Sequence, residues 1–190
     1  MFGLEAGEQW LLGFIKRAIE KFELDLLAMD AKVKSSALAM LDPHVGNWTG
    51  TMTTWLMPGE PYDVQNVTST AQWSVGGKFL HRTINGKFLN KPFEAVCLIG
   101  HDDARDEYVA SWMDSATTAM MPLKGGHDSD TRTLTMEGSI QLVSDTGVLG
   151  VRTVLTMDDN DHLRCLISLG RFGIYFKAHQ IDLARVTTSS

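Results

Sequence analysis

The sequence is poor in cysteine. Its two cysteines, Cys97 and Cys165, lie far apart in separate apolar stretches. Zinc motifs and redox dithiols need cysteines in close pairs, or further ligands at fixed spacing, so neither kind of site is expected. We predict that both thiols are buried and act as small hydrophobic side chains.

Long apolar runs and basic clusters are also missing. No stretch approaches the roughly 20 apolar residues that a membrane-spanning helix requires, and the first residues show no signal-peptide pattern. Acidic residues outnumber basic ones by 23 to 17, which disfavours a nucleic-acid partner. These absences predict a cytoplasmic protein that has no membrane span and binds no nucleic acid.

Histidines and acidic residues are present, but they are not arranged as a metal site. The clusters that begin at His101 and His127, and the run Asp158 to His162, all fall in turn-like sequence. Asp and Asn are favoured in turns because their side chains hydrogen-bond to the nearby backbone. We therefore predict no metal ion.

The first part of the chain is helical in pattern. Residues 8–24 carry apolar side chains at helical spacing, with Lys, Arg and Glu between them, as in an amphipathic helix. A second short helix is expected over residues 32–41, before Asp42-Pro43. The apolar face of the first helix could pack on its own domain, on a second copy of the chain or on a membrane surface.

After Trp48 the apolar residues recur every second position, which indicates β-strands with one buried face. The alternation is clearest from Leu134 to Leu142. Short turn signals between the strands indicate antiparallel hairpins. The predicted strands are 47–56, 63–74, 78–88, 92–101, 106–113, 116–122, 132–143, 149–158, 162–170 and 173–186.

About ten such strands would leave two unpaired edges unless the sheet closed on itself. The sequence therefore predicts an all-β protein, a single closed antiparallel barrel of about ten strands, with an N-terminal helical segment. Residues 1–41 form the helical lead-in and residues 42–190 the barrel. Gly46-Asn47-Trp48 stands at the start of the first strand, and we expect Trp48 to plug one end of the barrel.

Several short motifs resemble, in order, those of the bacterial domain-of-unknown-function 1579 family. They are Leu41 to Gly50, Gly76 to Leu80, Phe93 to Asp102, Trp112 to Ser115, and the closing stretch Lys177 to Arg185. The resemblance spans residues 37–186. It implies a lipocalin-like barrel, a member of the calycin group, and supplies no activity because the family is uncharacterised.

A barrel of about ten strands is wider than side chains readily fill, so we expect a cavity that binds a small, mainly apolar or amphipathic ligand without catalysis. Arg82 or Arg152 would orient an acidic head group if it faced inward. The candidate ligand-binding residues are Trp55, Trp73, Arg82, Trp112, Met120, Met136 and Arg152.

Three other functions stay open. His179 in the last predicted strand could be an axial haem ligand, as in barrels of the nitrobindin type, although we expect no cofactor. The chain could be an uncharacterised enzyme, but it lacks a nucleophile elbow around Ser115. It could also be a structural barrel that forms a homodimer through its N-terminal helix.

Overall fold

The computed structural model describes residues 3–30, 36–141 and 147–187. The chain divides into two compact units, residues 1–36 and residues 37–190. The first unit contains a long helix and the second a β-barrel. No helix in the described ranges combines the length and apolar character needed to cross a lipid bilayer.

Helix α1, Gly3–Asp30, contains the amphipathic segment predicted over residues 8–24. Lys16 and Glu20 form an ion pair one turn apart, with 3.9 Å between Nζ and Oε1. The large apolar side chains of this helix are exposed: Trp10, Leu11, Leu12, Phe14, Ile15, Ile19, Phe22 and Leu24. Helix α1 therefore presents an extensive apolar surface.

The second unit begins with a short helix and a 3-10 helix. Of the helix expected over residues 32–41, the structure shows α2, Ser36–Ala39, whereas residues 32–35 lie outside the described residues. A 3-10 helix, Asp42–His44, follows, with Pro43 near its start. Leu38 and Leu41 are buried in the barrel core, which anchors both short elements to the barrel.

Ten antiparallel strands form a closed barrel in the described part of the chain, as the sequence predicts. Each strand pairs with the next along the chain, and β1 pairs with β10 to complete the ring. The strands are β1 Gly46–Thr54, β2 Asp63–Ser74, β3 Phe79–Phe88, β4 Lys91–Asp102, β5 Glu107–Asp114, β6 Met120–Asp128, β7 Thr133–Gln141, β8 Val148–Met157, β9 His162–Arg171 and β10 Ile174–Arg185.

The barrel interior is the hydrophobic core. Alternate residues of the strands point inward and are buried, because successive side chains of a strand lie on opposite faces. In β7, for example, Leu134, Met136 and Ile140 are buried, while Glu137 and Ser139 are exposed. The period-two pattern of the sequence thus identifies the inner face.

The sixth strand is displaced from its prediction. It was expected over 116–122, with a turn at Gly125-Gly126, but β6 runs from Met120 to Asp128 and contains both glycines. A side chain at Gly125 would clash with the backbone oxygen of Thr135 on the neighbouring strand. The glycine therefore marks a close approach of two strands rather than a turn.

Trp48 is buried at one end of the barrel, as predicted, with 1% of its surface exposed. Its indole Nε1 donates a hydrogen bond of 3.1 Å to the backbone oxygen of His44. The guanidinium carbons of Arg185 and Arg82 lie 4.2 and 5.9 Å from the ring centroid. Both distances are within the range of cation–π attraction.

Arg185 also ties the last strand to the segment that precedes β1. Its Nη1 donates to the backbone oxygen of Val45, and its Nη2 donates to that of Pro43, both at 2.6 Å. We call this end of the barrel, with the segment Leu38–Val45 against it, the closed end.

Candidate ligand-binding site

The barrel encloses a cavity of about 240 Å³ in the half remote from Trp48. It extends from mid-barrel residues such as Met52 to the β5–β6 connection. Its walls are predominantly apolar and come from nine strands. The apolar wall residues are Met52, Phe88, Phe93, Trp112, Ala116, Met121, Leu123, Ile140, Val151, Ile167, Leu169 and Ile181.

Four polar residues interrupt this wall: Asp114, Thr117, Thr153 and His179. A mainly apolar wall with a few convergent polar groups is the usual composition of a small-molecule site. The polar groups give such a site directional contacts, whereas the apolar groups exclude water.

The carboxylate of Asp114 organises the β5–β6 connection. Its Oδ1 accepts hydrogen bonds from the backbone N–H groups of Ala116 and Thr117, at 3.0 and 2.9 Å. Its Oδ2 accepts one of 2.8 Å from the indole Nε1 of Trp112. These bonds hold the negative charge at the cavity wall and fix the orientation of the Trp112 ring.

His179 brings a second titratable side chain to the same cavity. Its Nδ1 lies 3.2 Å from Oγ1 of Thr54, and its ring packs edge-on against Phe88, with 5.6 Å between centroids. Burial lowers the pKa of His179, and the negative charge of Asp114 partly opposes that shift. The imidazole is therefore neutral at pH 7, and its Nε2 is the nitrogen left for a ligand.

A β-bulge helps to place His179. The pairing of β10 with β9 shifts register between Lys177 and His179. A bulge re-aims the side chains that follow it. The neighbouring Ala178 is buried, and its backbone oxygen accepts a hydrogen bond of 2.8 Å from Trp55.

A smaller space of about 30 Å³, which we call the inner chamber, lies beside the cavity toward the closed end. Arg82, Cys97, Cys165 and Met136 line it. The cavity and the inner chamber share four wall residues: Trp112, Leu123, Thr153 and Ile181. The two spaces are therefore adjacent parts of the barrel interior.

Both cysteines are free thiols that line the inner chamber. Burial raises the pKa of Cys97 to about 12 and that of Cys165 to about 11. Both thiols are therefore protonated at neutral pH. Cys97 is buried, as predicted, whereas Cys165 in the wall of the inner chamber is only partly buried.

Three of the seven candidate residues line the interior. Trp112 contacts both the cavity and the inner chamber, and Arg82 and Met136 line the inner chamber. Arg82 shares its strand face with the buried Leu80 and Ile84. That parity, visible in the sequence, explains why its side chain points inward.

Trp55 and Trp73 lie away from the cavity. Trp55 follows β1, and the Nζ of Lys177 lies 4.0 Å from its ring centroid. Trp73 is near the closed end, where its Nε1 donates a hydrogen bond of 2.9 Å to Oδ1 of Asp42. Neither ring is among the residues that line the interior spaces.

Met120 and Arg152 point outward. Met120 begins β6 and is 66% exposed, while its neighbour Met121 lines the cavity. Arg152 lies on the outer face of β8, where its Nε donates a hydrogen bond of 2.7 Å to Oε1 of Glu137. The inward positions of β8 belong to its neighbours, such as Val151.

The sequence analysis did not select Phe88, Phe93 or Asp114 as ligand-binding residues. Asp114 has the strand parity of Trp112, and this was the available signal for an inward position. Phe88 and Phe93 flank the turn between β3 and β4, and their ring centroids are 6.0 Å apart. No periodic pattern distinguishes them, because both are next to a turn.

A larger depression of about 550 Å³ lies on the outer surface of strands β5 to β7. Its lining is mostly polar and includes Glu107 and Lys124, whose charged atoms lie 3.8 Å apart. Its position on the outside of the sheet and its lack of large apolar side chains make it a poorer site for an apolar ligand than the cavity.

The size of the cavity tests whether it can hold haem. His179 would be its ligand, through Nε2. The cavity volume of about 240 Å³ is below the range of about 300–1,000 Å³ for pockets that hold drug-sized ligands. The cavity in this arrangement is too small for haem. An absorption spectrum of the purified protein tests the haem hypothesis directly.

The structure places no group of three or more His, Cys, Asp and Glu residues so as to hold a metal ion in the described ranges. The acidic turns instead use their carboxylates locally. Asp102 and Asp159, for example, accept hydrogen bonds from backbone N–H groups two residues later.

The sequence matches the family described as protein of unknown function (DUF1579) over residues 34–171. The chain belongs to this family. The match covers α2 and strands β1 to β9, and therefore most of the DUF1579 barrel. No curated protein matches the sequence.

Proposed function

We propose that this DUF1579 protein is a lipocalin-like binding protein that takes up a small, mainly apolar molecule without catalysis. The observation that carries the proposal is the cavity of about 240 Å³ with twelve apolar wall residues and four polar ones. The plug formed by Trp48 and Arg185 closes the opposite end. A molecule would therefore enter near the β5–β6 connection.

The size of the cavity argues for an occupant. Protein interiors are packed as densely as organic crystals. If the 240 Å³ of this cavity were empty, the folded state would lose about 6 kcal/mol of stability, at about 24 cal/mol per Å³. A bound apolar molecule would remove much of that cost.

A direct test is titration with a fluorescent fatty acid, combined with native mass spectrometry of freshly purified protein. We expect saturable binding in the micromolar range, or a co-purifying organic mass. No saturable binding, together with a side-chain-filled interior in an experimental structure, would favour a purely structural barrel. A Soret band would favour haem, and turnover of the bound compound would favour an enzyme.

A cavity-filling variant links binding to this cavity. Val151 is buried and lines the cavity, so Val151→Phe should occupy part of the volume and weaken binding about tenfold or more. Val154 lies on the opposite face of the same strand. Val154→Phe is therefore the matched control and should bind as the parent does. Equal affinity of all three proteins would place the ligand elsewhere.

We also propose that α1 mediates a homodimer. The support is the row of exposed apolar side chains at helical spacing, which includes Leu11, Ile15 and Phe22. Two such helices would bury these side chains against each other. Light scattering should show a dimer for the parent and a monomer for Ile15→Glu. Lys16→Glu changes a charge at the neighbouring position and is the control.

A cytoplasmic location is a further proposal. It is supported by the two free cysteines, since thiols persist in reducing compartments and disulfides in oxidising ones. Cell fractionation with an antibody against the native protein would test it, and recovery from a membrane or extracellular fraction would contradict it.

A further inference from the structure

Arg82 is a cation inside the barrel. Its side chain is 4% exposed. Burial lowers the pKa of Arg82 to about 10, so that the guanidinium stays charged at neutral pH. Nη1 donates a hydrogen bond of 3.1 Å to Oγ of Ser69, and Nη2 one of 3.2 Å to the backbone oxygen of His44. Both acceptors are neutral.

No carboxylate in the described ranges balances the charge of Arg82. The titratable groups that act on it are Cys165, Cys97 and Arg185, with no Asp or Glu among them in the described part of the chain. The two thiols are protonated at neutral pH because burial raises the pKa of each. Arg185 carries the same sign as Arg82. A desolvated cation without a counter-charge is costly.

Arg82 also has one hydrogen-bond donor that is not used within the described ranges. Its Nε is buried and has no hydrogen-bond partner within the described ranges. The side chain lines the inner chamber, whose volume of about 30 Å³ is comparable to the ≈ 30 Å³ that one water molecule occupies in the liquid. The chamber can therefore hold a halide ion or the oxygen end of a carboxylate.

We propose that Arg82 binds an anionic group in the inner chamber, and that this group is the carboxylate of an apolar acid whose hydrocarbon part fills the cavity. This inference rests on the proposed function, because it uses the same cavity. The shared chemistry is a small anion next to a buried guanidinium. A free halide ion is the other source of that anion.

The placement of charges favours the acid and sets its direction. Asp114 holds a negative charge at the wall of the outer cavity, where it would repel a carboxylate. Arg82 is in the wall of the inner chamber, where it would attract one. The two spaces share Trp112 and Thr153, and the flexible side chain of Met136 can yield space between them. The head group would therefore lie innermost.

The test compares decanoate with decanol, which have the same chain length and differ in the head group. Affinities are measured at pH 8 by displacement of the neutral probe Nile red. The parent should bind decanoate about tenfold or more tightly than decanol, since hydrogen bonds to a charged group are the stronger ones. Arg82→Gln should bring the two affinities together, and Arg82→Lys should keep part of the preference for the acid.

Arg152→Gln is the control, because it removes an arginine of the outer face and should leave the preference unchanged. The ratio of the two affinities is compared within each variant, so a variant that is merely less stable lowers both affinities and leaves their ratio as it was. Loss of the ratio only in Arg82→Gln therefore identifies charge recognition.

Three outcomes are decisive. Equal binding of decanoate and decanol by the parent, with no stabilisation by sodium chloride, overturns the inference but leaves the proposed function intact. In the second outcome, the parent binds decanoate and decanol equally, and chloride raises the melting temperature of the parent but not that of Arg82→Gln. This result supports the anion site and assigns it to a free halide. Binding of neither compound, and of no Nile red, overturns the proposed function itself.

Discussion

Removal of the Trp48 side chain should be one of the most damaging single substitutions in this barrel. Trp48→Ala takes away a ring that is 1% exposed and that belongs to the same core as Leu38 and Leu41 of the closed end. It also removes the donor to the backbone oxygen of His44 and the surface on which Arg185 stacks. All three losses fall on the same junction.

The magnitude follows from the buried area. An aromatic side chain of this kind buries about 150–250 Å², which at about 25 cal/mol per Å² corresponds to roughly 4–6 kcal/mol. Measured truncations of large aromatic residues cost about 3–5 kcal/mol. The oxygen of His44 keeps its hydrogen bond from Arg82, so no unsatisfied acceptor adds to the loss. We therefore expect a loss of about 3–5 kcal/mol for Trp48→Ala.

Urea unfolding followed by circular dichroism measures this loss, with Trp10→Ala as the control. Trp10 belongs to α1 and is 67% exposed, so its removal should leave the barrel transition unchanged. A variant that retains only Trp48 should also resist fluorescence quenching by iodide. If Trp48→Ala were as stable as the parent, the closed end would not depend on this ring and our account of it would be wrong.

Three further predictions concern the titration of His44, the hydrogen bonds of Asp114 and the reactivity of the two thiols. Burial lowers the pKa of His44 from 6.5 to about 3, so between these values the unfolded chain binds a proton that the folded protein does not. The free energy of unfolding should therefore fall by about 1.4 kcal/mol per pH unit as the pH drops through this range, with no further change below about 3. His44→Phe should flatten the plot of urea midpoint against pH. An unchanged slope would exclude His44 as the cause. Asp114→Ala should lower the free energy of unfolding by about 1–3 kcal/mol, because the indole of Trp112 and two backbone N–H groups lose their acceptor. A variant with the parent's urea midpoint would show that these hydrogen bonds make no net contribution to stability. A thiol-reactive dye at pH 7 should label Cys97 and Cys165 only after urea is added, because both line the inner chamber. Rapid labelling of the native protein would show that reagents reach this chamber.

Much of the barrel could be predicted because strand periodicity is a local property. Most strands have an apolar inner face and a largely polar outer face, and nine of the ten strands lie close to their predicted ranges. The sixth was displaced because Gly125-Gly126 is a turn signal in most sequences. Here glycine is required by the distance to the backbone of Thr135, which no local pattern contains.

The cavity was harder to predict because it depends on pairing across the whole ring. Phe88, Asp114 and His179 meet only after β10 has joined β1 and the bulge has re-aimed His179. Arg82 could be assigned to the inner face from its neighbours Leu80 and Ile84. Arg152 could not be assigned, because both faces of its strand carry apolar residues.

The pairing of β1 with β10 has a consequence for how the chain folds. Residues such as Trp48 and Arg185 are partners in the ring although nearly the whole barrel sequence separates them. Contacts of such long separation form slowly. During synthesis, β1 and β9 would each keep one unpaired edge until β10 leaves the ribosome, and unpaired edges invite association with other chains. The time that β10 takes to arrive thus sets the period in which the nascent barrel needs protection.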